Sequence, residues 1–355
     1  MSLLLRDVEV DGERVDVQVT GTQVAQVGAG LRAGRDDEVM SGAGGALLPG
    51  LHDHHVHLMA LAAAASSVPC GPPDVVDVGG LLRALSGASG RSWVRGTGYH
   101  ESVGGHLDRD VLDRLLPDRP VRVQHRSGAL WVLNSRALDE LGLGAESSPD
   151  VERDDRGRLT GRLWRWDDHL RERLGTEPPD LRVVEHQLAA LGVTGVTDAT
   201  PDLDAATCSR LSEGVRQRVQ VLGSPHGPSP RKLLLRDHDL PTFDELVSSV
   251  QATRRQGRPV AVHCVTRDSL LLVLAALEQV GARPGDRVEH GSVVPAEVVG
   301  TMARLGVTVV TQPVFLADKG DDYLRDVAPD DWPLLYPYAS LLRAGVRVAP
   351  SSDGP

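Results

Sequence analysis

The chain has 355 residues, 41% hydrophobic and 25% charged, with a net charge of −11. That length suits one large barrel with attachments or two domains, and an acidic balance without clustered Lys and Arg argues against a nucleic-acid partner. Three scattered cysteines with no CxxC pair, a first apolar run too short for a signal peptide and no stretch near ~20 apolar residues predict a cytoplasmic protein with neither disulfide framework nor membrane span.

Residues 1 to about 45 alternate apolar and polar, through Val8, Val10, Val15, Val17, Val19, Val24 and Val27, with Asp11-Gly12 and Gly21-Thr22 between the runs. Period two with turn residues predicts short antiparallel strands in a small β-module. The apolar run 46–51 predicts a strand and opens a second domain, 46–355. Residues 58–68, short and Ala-rich, read as a buried helix or loop. Between about 70 and 180, strands are expected at 93–97 and 121–124 and a helix near 134–141, among Pro, Gly and charged loops.

After residue 180 the pattern changes. A helical stretch at 183–191 precedes short β-branched or apolar runs at 193–198, 218–222, 232–235, 260–265, 287–289, 307–311 and 346–349. Helical stretches such as 270–277 and 298–305 lie between them. Buried strands alternating with helices predict βαβ units and a parallel sheet. The run at 46–51 and the seven after residue 190 make the eight strands of an α/β fold, a (β/α)8 barrel. The region 70–180 is then an insertion after barrel strand 1.

Six polar residues fall at or beside these runs: His55, His57, Lys232, His263, His290 and Asp353. In such a barrel the C-terminal strand ends converge on one face, so residues 300 positions apart meet there. Imidazole and carboxylate donors suit zinc and similar divalent ions, and a catalytic site keeps one position open for water. His55 and His57 project to the same side of an extended chain. A metal in that site lowers the pKa of bound water, and Asp353 is placed to move its proton. Each residue alone is weak: a strand-end His is more often a satisfied buried group, and an isolated Lys232 reads as a surface residue. The ordered set along successive strands carries the signal. Of 38 basic residues only Lys232 and Lys319 are lysine, which also suggests a role that arginine cannot fill.

At this point the residues resemble a known family. Pro49-Gly50-Leu51-His52-Asp53-His54-His55-Val56-His57 is similar to the PG-x-x-D-x-H-x-H signature of the amidohydrolase superfamily. Arg119-Pro120-Val121, Arg126-Ser127-Gly128, residues 132–138, Gly195-Val196-Thr197-Asp198, Val288-Glu289-His290-Gly291 and Ser352-Asp353 resemble its amidohydrolase-3 branch, which includes N-substituted formamide deformylases. The resemblance implies a distorted TIM barrel joined to a urease-like β-sandwich. It implies His55 and His57 on one metal, His263 and His290 on a second, Lys232 carboxylated as a bridge, and Asp353 as ligand and proton shuttle. One or two ions, zinc first among them, fit this picture. Three departures stand out: Ala129 where relatives carry His, Arg162-Leu163-Trp164 where they carry an acidic residue, and an ending at Pro355 before their last helix and returning strands, as in a truncated or abridged chain.

The remaining candidates are weighed against plainer roles. His125, Arg126, Trp131 and Asn134 of the insertion read as a lid or pocket wall that binds substrate, with His125 and Arg126 alternatively serving only as local backbone partners. Gln312 reads as a pocket residue. Asp198 reads as a cap of the next helix rather than as a site residue, and His52 and His54 as supports for their neighbours. The expected activity is hydrolysis of a non-peptide, amide-like C–N bond in a small molecule. An ester or lactone substrate and a catalytically silent metal-binding relative stay open as alternatives, as does a homo-oligomer.

Overall fold

Alternation in the first 41 residues becomes a four-stranded sheet of β1 (Ser2–Val10), β2 (Glu13–Thr20), β3 (Gln23–Gly28) and β4 (Asp37–Ser41), ordered β3-β2-β1-β4. This computed structural model describes residues 2–89, 93–175 and 178–354. Pro355, the end of the expected second domain, lies outside them. Two compact units result, Met1–His52 with Gly192–Thr194 and Asp53–Leu191 with Gly195–Pro355. The first is not wholly antiparallel as expected, because β4 returns parallel to β1. Leu4, Val8 and Val17 are its buried apolar residues, while Val24, Val27, Val39 and Met40 face solvent.

The strand expected at 46–51 lies further on, as β5 (Leu51–Val56). Pro49-Gly50 separates the apolar run from it, so His55 stands inside the strand and not beyond it. Helix α1 (Leu58–Ala65) follows, capped by Asp198, whose Oδ2 accepts from Leu58 N at 2.9 Å. The capping reading of Asp198 therefore applies to α1 and not to the helix that follows it in the chain.

The insertion is richer than the two strands read from sequence. It contains β6 (Val68–Pro69), α2 (Val78–Ser86), β7 (Val94–Tyr99), α3 (Arg109–Leu115), β8 (Val121–His125), β9 (Leu130–Leu133), α4 (Ser135–Glu140), β10 (Val151–Arg153), β11 (Leu159–Trp164) and α5 (Asp167–Leu174). Its six strands form one sheet, β10-β11-β9-β8-β7-β6. Leu130 and Val132 of β9 face a core with Val121, Val123 and Leu112, and Trp131 and Leu133 face another with Leu138, Leu163 and Leu170. A strand buried on both faces is continuously apolar and shows no period-two signal, which is why β9 escapes the sequence pattern.

The chain then alternates: α6 (Arg182–Ala190), β12 (Val193–Asp198), α7 (Ala205–Glu213), β13 (Arg218–Val221), β14 (Arg231–Leu233), α8 (Phe243–Arg255), β15 (Val260–Cys264), α9 (Arg267–Val280), β16 (Arg287–His290), α10 (Ala296–Leu305), β17 (Thr308–Thr311), α11 (Phe315–Asp326), α12 (Tyr338–Arg343) and β18 (Arg347–Pro350). The eight strands expected to form the barrel fall into two sheets, β13-β12-β5 and β14-β15-β16-β17-β18. Among the described residues these ladders do not close on each other. Pairing from β14 to β18 is parallel throughout. Val262, Cys264, Val288 and Val309 pack against residues of α8, α9 and α10. Lys232 pairs with Ala261, and His263 with Glu289. Because strand residues alternate sides, Lys232, Ala261, His263 and Glu289 share the face opposite the helices. No described helix is long and apolar enough to cross a membrane.

Candidate metal centre and substrate cavity

His55 is the hub of the polar face. Its Nδ1 lies 2.5 Å from Glu289 Oε2. Nε2 lies 3.4 Å from Lys232 Nζ and 3.4 Å from Asp353 Oδ1. His57 Nε2 reaches the same Asp353 oxygen at 3.5 Å, while its Nδ1 meets Thr200 Oγ1 at 3.0 Å. His290 Nδ1 is 3.6 Å from Asp353 Oδ2, and His263 joins with its ring centroid 4.6 Å from that of His290. One ligand atom each from His55, His290 and Asp353 falls within 4.8 Å of the others.

Backbone conformation makes this convergence possible. Successive strand residues point to opposite faces, so Glu289 and His290 should not both reach one site. His290 has φ +66° and Asp353 φ +53°, left-handed values uncommon outside glycine. They turn these side chains back toward the cluster. Asp53 ties the two ends of the site together: Oδ1 accepts from Ser352 N at 3.1 Å, and Oδ2 accepts from Ser352 Oγ at 2.5 Å. Asp353 N then donates to His55 O at 2.9 Å.

Glu289 is the residue that sequence reasoning passed over, though it stood in the Glu-His pair. It is fully buried and receives Arg287 Nε at 2.7 Å and an Arg287 terminal nitrogen at 3.0 Å. Arg287 also donates to His54 O at 2.7 Å. Burial opposes the charge on Glu289, but Arg287 and the His55 hydrogen bond outweigh it and hold the carboxyl below its usual range. An ionised Glu289 accepts a hydrogen bond from the Nδ1–H of His55, which leaves the Nε2 lone pair facing Lys232 and Asp353. The alternation Arg287-x-Glu289 was the available signal.

The electrostatics suit a cation. Burial, reinforced by the Lys232 charge, pushes His263 down to about 4. Burial and neighbouring His55 push His290 down to about 3. Burial also lowers His55, against the pull of Glu289. Asp353 is disfavoured by burial, yet the His57 hydrogen bond and surrounding imidazoles bring it down to about 2. Burial lowers Lys232. Uncharged imidazoles beside an ionised carboxylate are what zinc and similar ions bind, so this donor set fits a divalent metal.

The other sequence candidates separate. Gln312 is buried beside the cluster, its Oε1 3.1 Å from His290 Nδ1 and its amide donating to Ser351 Oγ at 2.9 Å. It orients a ligand candidate and does not line the cavity. Trp131 and Asn134 lie within the insertion. Trp131 Nε1 donates to Asp167 at 2.9 Å, and the Arg95 and Arg122 guanidiniums stack on its ring at 5.4 and 5.3 Å. Asn134 Oδ1 accepts from Val121 N and Ala137 N, both at 3.0 Å, and its amide donates to Leu116 O and Arg119 O. Both residues hold the insertion together, because each polar atom is engaged internally. His125 and Arg126 do line a cavity of about 790 Å³, together with His100, Glu101, Lys319 and Tyr323. His125 Nε2 lies 3.0 Å from Glu101, and Arg126 pairs with Asp322 of α11. The metal-ligand candidates are not among the lining residues; Tyr323 is joined to Tyr336 by a hydroxyl contact of 2.9 Å. A smaller cavity of about 230 Å³ reaches Lys232 past Asp202 and Gly223.

A parallel α/β frame thus carries a His-rich centre at its strand ends. The amidohydrolase family profile matches residues 38–355, and the chain belongs to that family. It is 25% identical to the N-substituted formamide deformylase of Arthrobacter pascens, over 98% of this chain and 77% of the relative. Identity to the putative amidohydrolase YtcJ of Bacillus subtilis (strain 168) is 22%, over 90% of this chain and 72% of that protein. The fold resembles an uncharacterized metal-dependent hydrolase from Pyrococcus furiosus, with a TM-score of 0.74 at 19% identity, covering 99% of this chain and 85% of that one.

Proposed function

We propose that this amidohydrolase cleaves a non-peptide, amide-like C–N bond in a small molecule, using His55, His57, Lys232, His263, His290 and Asp353 to hold one or two divalent ions. The observation that carries the reading is the meeting of His55, His290 and Asp353 ligand atoms within 4.8 Å. Zinc is the first candidate, and Lys232, buried beside His55 Nε2, is the candidate for carboxylation and bridging. When bound, the ion supplies Lewis-acid activation of water and of the scissile carbonyl. Asp353 accepts a proton from the attacking water and delivers it to the leaving nitrogen, giving a carboxylic acid and an amine. Glu289 fixes His55, and Gln312 fixes His290.

An N-substituted formamide is the first substrate class to try, because the formamide deformylase relative aligns over nearly the whole chain. The 790 Å³ cavity is of a size that takes a small organic molecule. A closed eight-stranded barrel is the architecture we infer: Lys232 N donates to Leu222 O at 3.0 Å across one gap between the sheets, and Asp353 N to His55 O at 2.9 Å across the other. Elemental analysis of the purified chain, followed by assay on N-alkylformamides, other amides, esters and lactones, tests the reading. Bound metal with formamide or amide turnover supports it. Metal without turnover on the whole panel overturns the activity, and turnover of esters or lactones alone reassigns the bond.

A further inference from the structure

A line of three hydroxyls runs from beside His290 to the wall of the large cavity. Ser292 Oγ donates to Tyr336 OH at 3.0 Å, and Tyr336 OH lies 2.9 Å from Tyr323 OH. Tyr323 lines the cavity, whereas Tyr336 is only 5% exposed. Each hydroxyl has a single proton to donate and can accept more than one bond. The Ser292 proton is engaged by Tyr336. Were Tyr323 to donate to Tyr336, the buried Tyr336 proton would have no acceptor among the described residues, which is unfavourable. Donation therefore runs Ser292 to Tyr336 to Tyr323, and the Tyr323 proton is left to point into the cavity.

We propose that Tyr323 donates a hydrogen bond to the carbonyl oxygen of the substrate as negative charge collects there, and that Tyr336 is the positioning residue that aims it. This rests on the amide-hydrolase reading above. No proton leaves Tyr323: the phenol stabilises charge, and the water proton follows the Asp353 route to nitrogen. Burial raises both the Tyr323 and the Tyr336 phenol above the ordinary value, so both remain donors at neutral pH. A donor fixed in advance by other hydroxyls needs no reorganisation as charge develops, which is what such sites require.

The test is Tyr323→Phe and Tyr336→Phe in the metal-loaded enzyme, assayed on whichever N-alkylformamide or amide the wild type turns over. The expected result is a fall in kcat of about 10²-fold for Tyr323→Phe with little change in KM. Tyr336→Phe should fall less, and melting temperature and metal content should match wild type for Tyr323→Phe. A raised KM with unchanged kcat, or unchanged kinetics in Tyr323→Phe, overturns the inference while leaving the hydrolase reading intact. A wild type inactive on every substrate fails the hydrolase reading first and this inference with it. Loss of metal or of melting temperature in Tyr323→Phe assigns the residue a structural role and also overturns the inference.

Discussion

Two groups of buried polar side chains in the larger unit are used in opposite ways. In the insertion, Asn134 makes four hydrogen bonds to nearby backbone, and Trp131 Nε1 is held by Asp167. These are closed systems that build a sheet and its helices. At the strand ends, His55, His57, His290 and Asp353 face one another, with further groups holding them from behind. Burial of polar atoms alone therefore does not mark a site. What marks it is donor atoms of several elements converging on a shared point.

Breaking the strand-end cluster should have the largest effect. His55→Ala/His57→Ala should lose bound metal and lower turnover by on the order of 10³ or more, read by elemental analysis and single-turnover kinetics. Retention of full metal content would place the ion elsewhere. Next in size is Glu289→Gln, which removes the charge that orders His55 and should weaken metal affinity or activity by about 10–100-fold. A chelator-competition titration measures this, and an unchanged affinity would leave Glu289 as packing only.

The insertion should answer in stability and not in chemistry. Asn134→Ala strips a helix cap and the bonds to β8, and should cost about 2–3 kcal/mol in urea unfolding with KM unchanged for the folded fraction. A raised KM would restore Asn134 to the substrate wall. Lowering pH should separate the regions again. His55, His263 and His290 have folded pKa values below their unfolded value, so the unfolded chain binds more protons as pH drops from 6.5 toward 4. Stability of the metal-free protein should be fully present above 6.5 and fall across that window, as melting scans in chelator would show; a flat profile would contradict the neutral-imidazole picture. Smallest is Arg126→Gln. It breaks a partly exposed pair with Asp322 and should change stability by less than about 1 kcal/mol while raising KM a few-fold. No change in KM would remove Arg126 from the cavity's working residues.

Several parts of this arrangement were legible beforehand. The signature from Pro49 to His57, the strand-end positions of His263, His290 and Asp353, and the rarity of lysine all pointed to one convergent centre. Glu289 was passed over because alternation assigns neighbours in a strand to opposite faces, and only the left-handed turn at His290 lets both serve one site. The internal bonds of Trp131 and Asn134 were not legible, because a strand buried on both sides has no period-two pattern to read.

By itself, the sequence determined the class of the molecule: alternating strands and helices, the family, and the residue types able to hold a metal. Those follow from local periodicity and from side-chain chemistry, which a linear string carries. Only the tertiary structure decided that Glu289 and Gln312 orient the histidines, that Tyr323 and Arg126 share a cavity, and that Trp131 and Asn134 of the insertion look inward. Such relations depend on backbone turns and on pairings hundreds of residues apart, and no local pattern encodes which buried group ends up facing which.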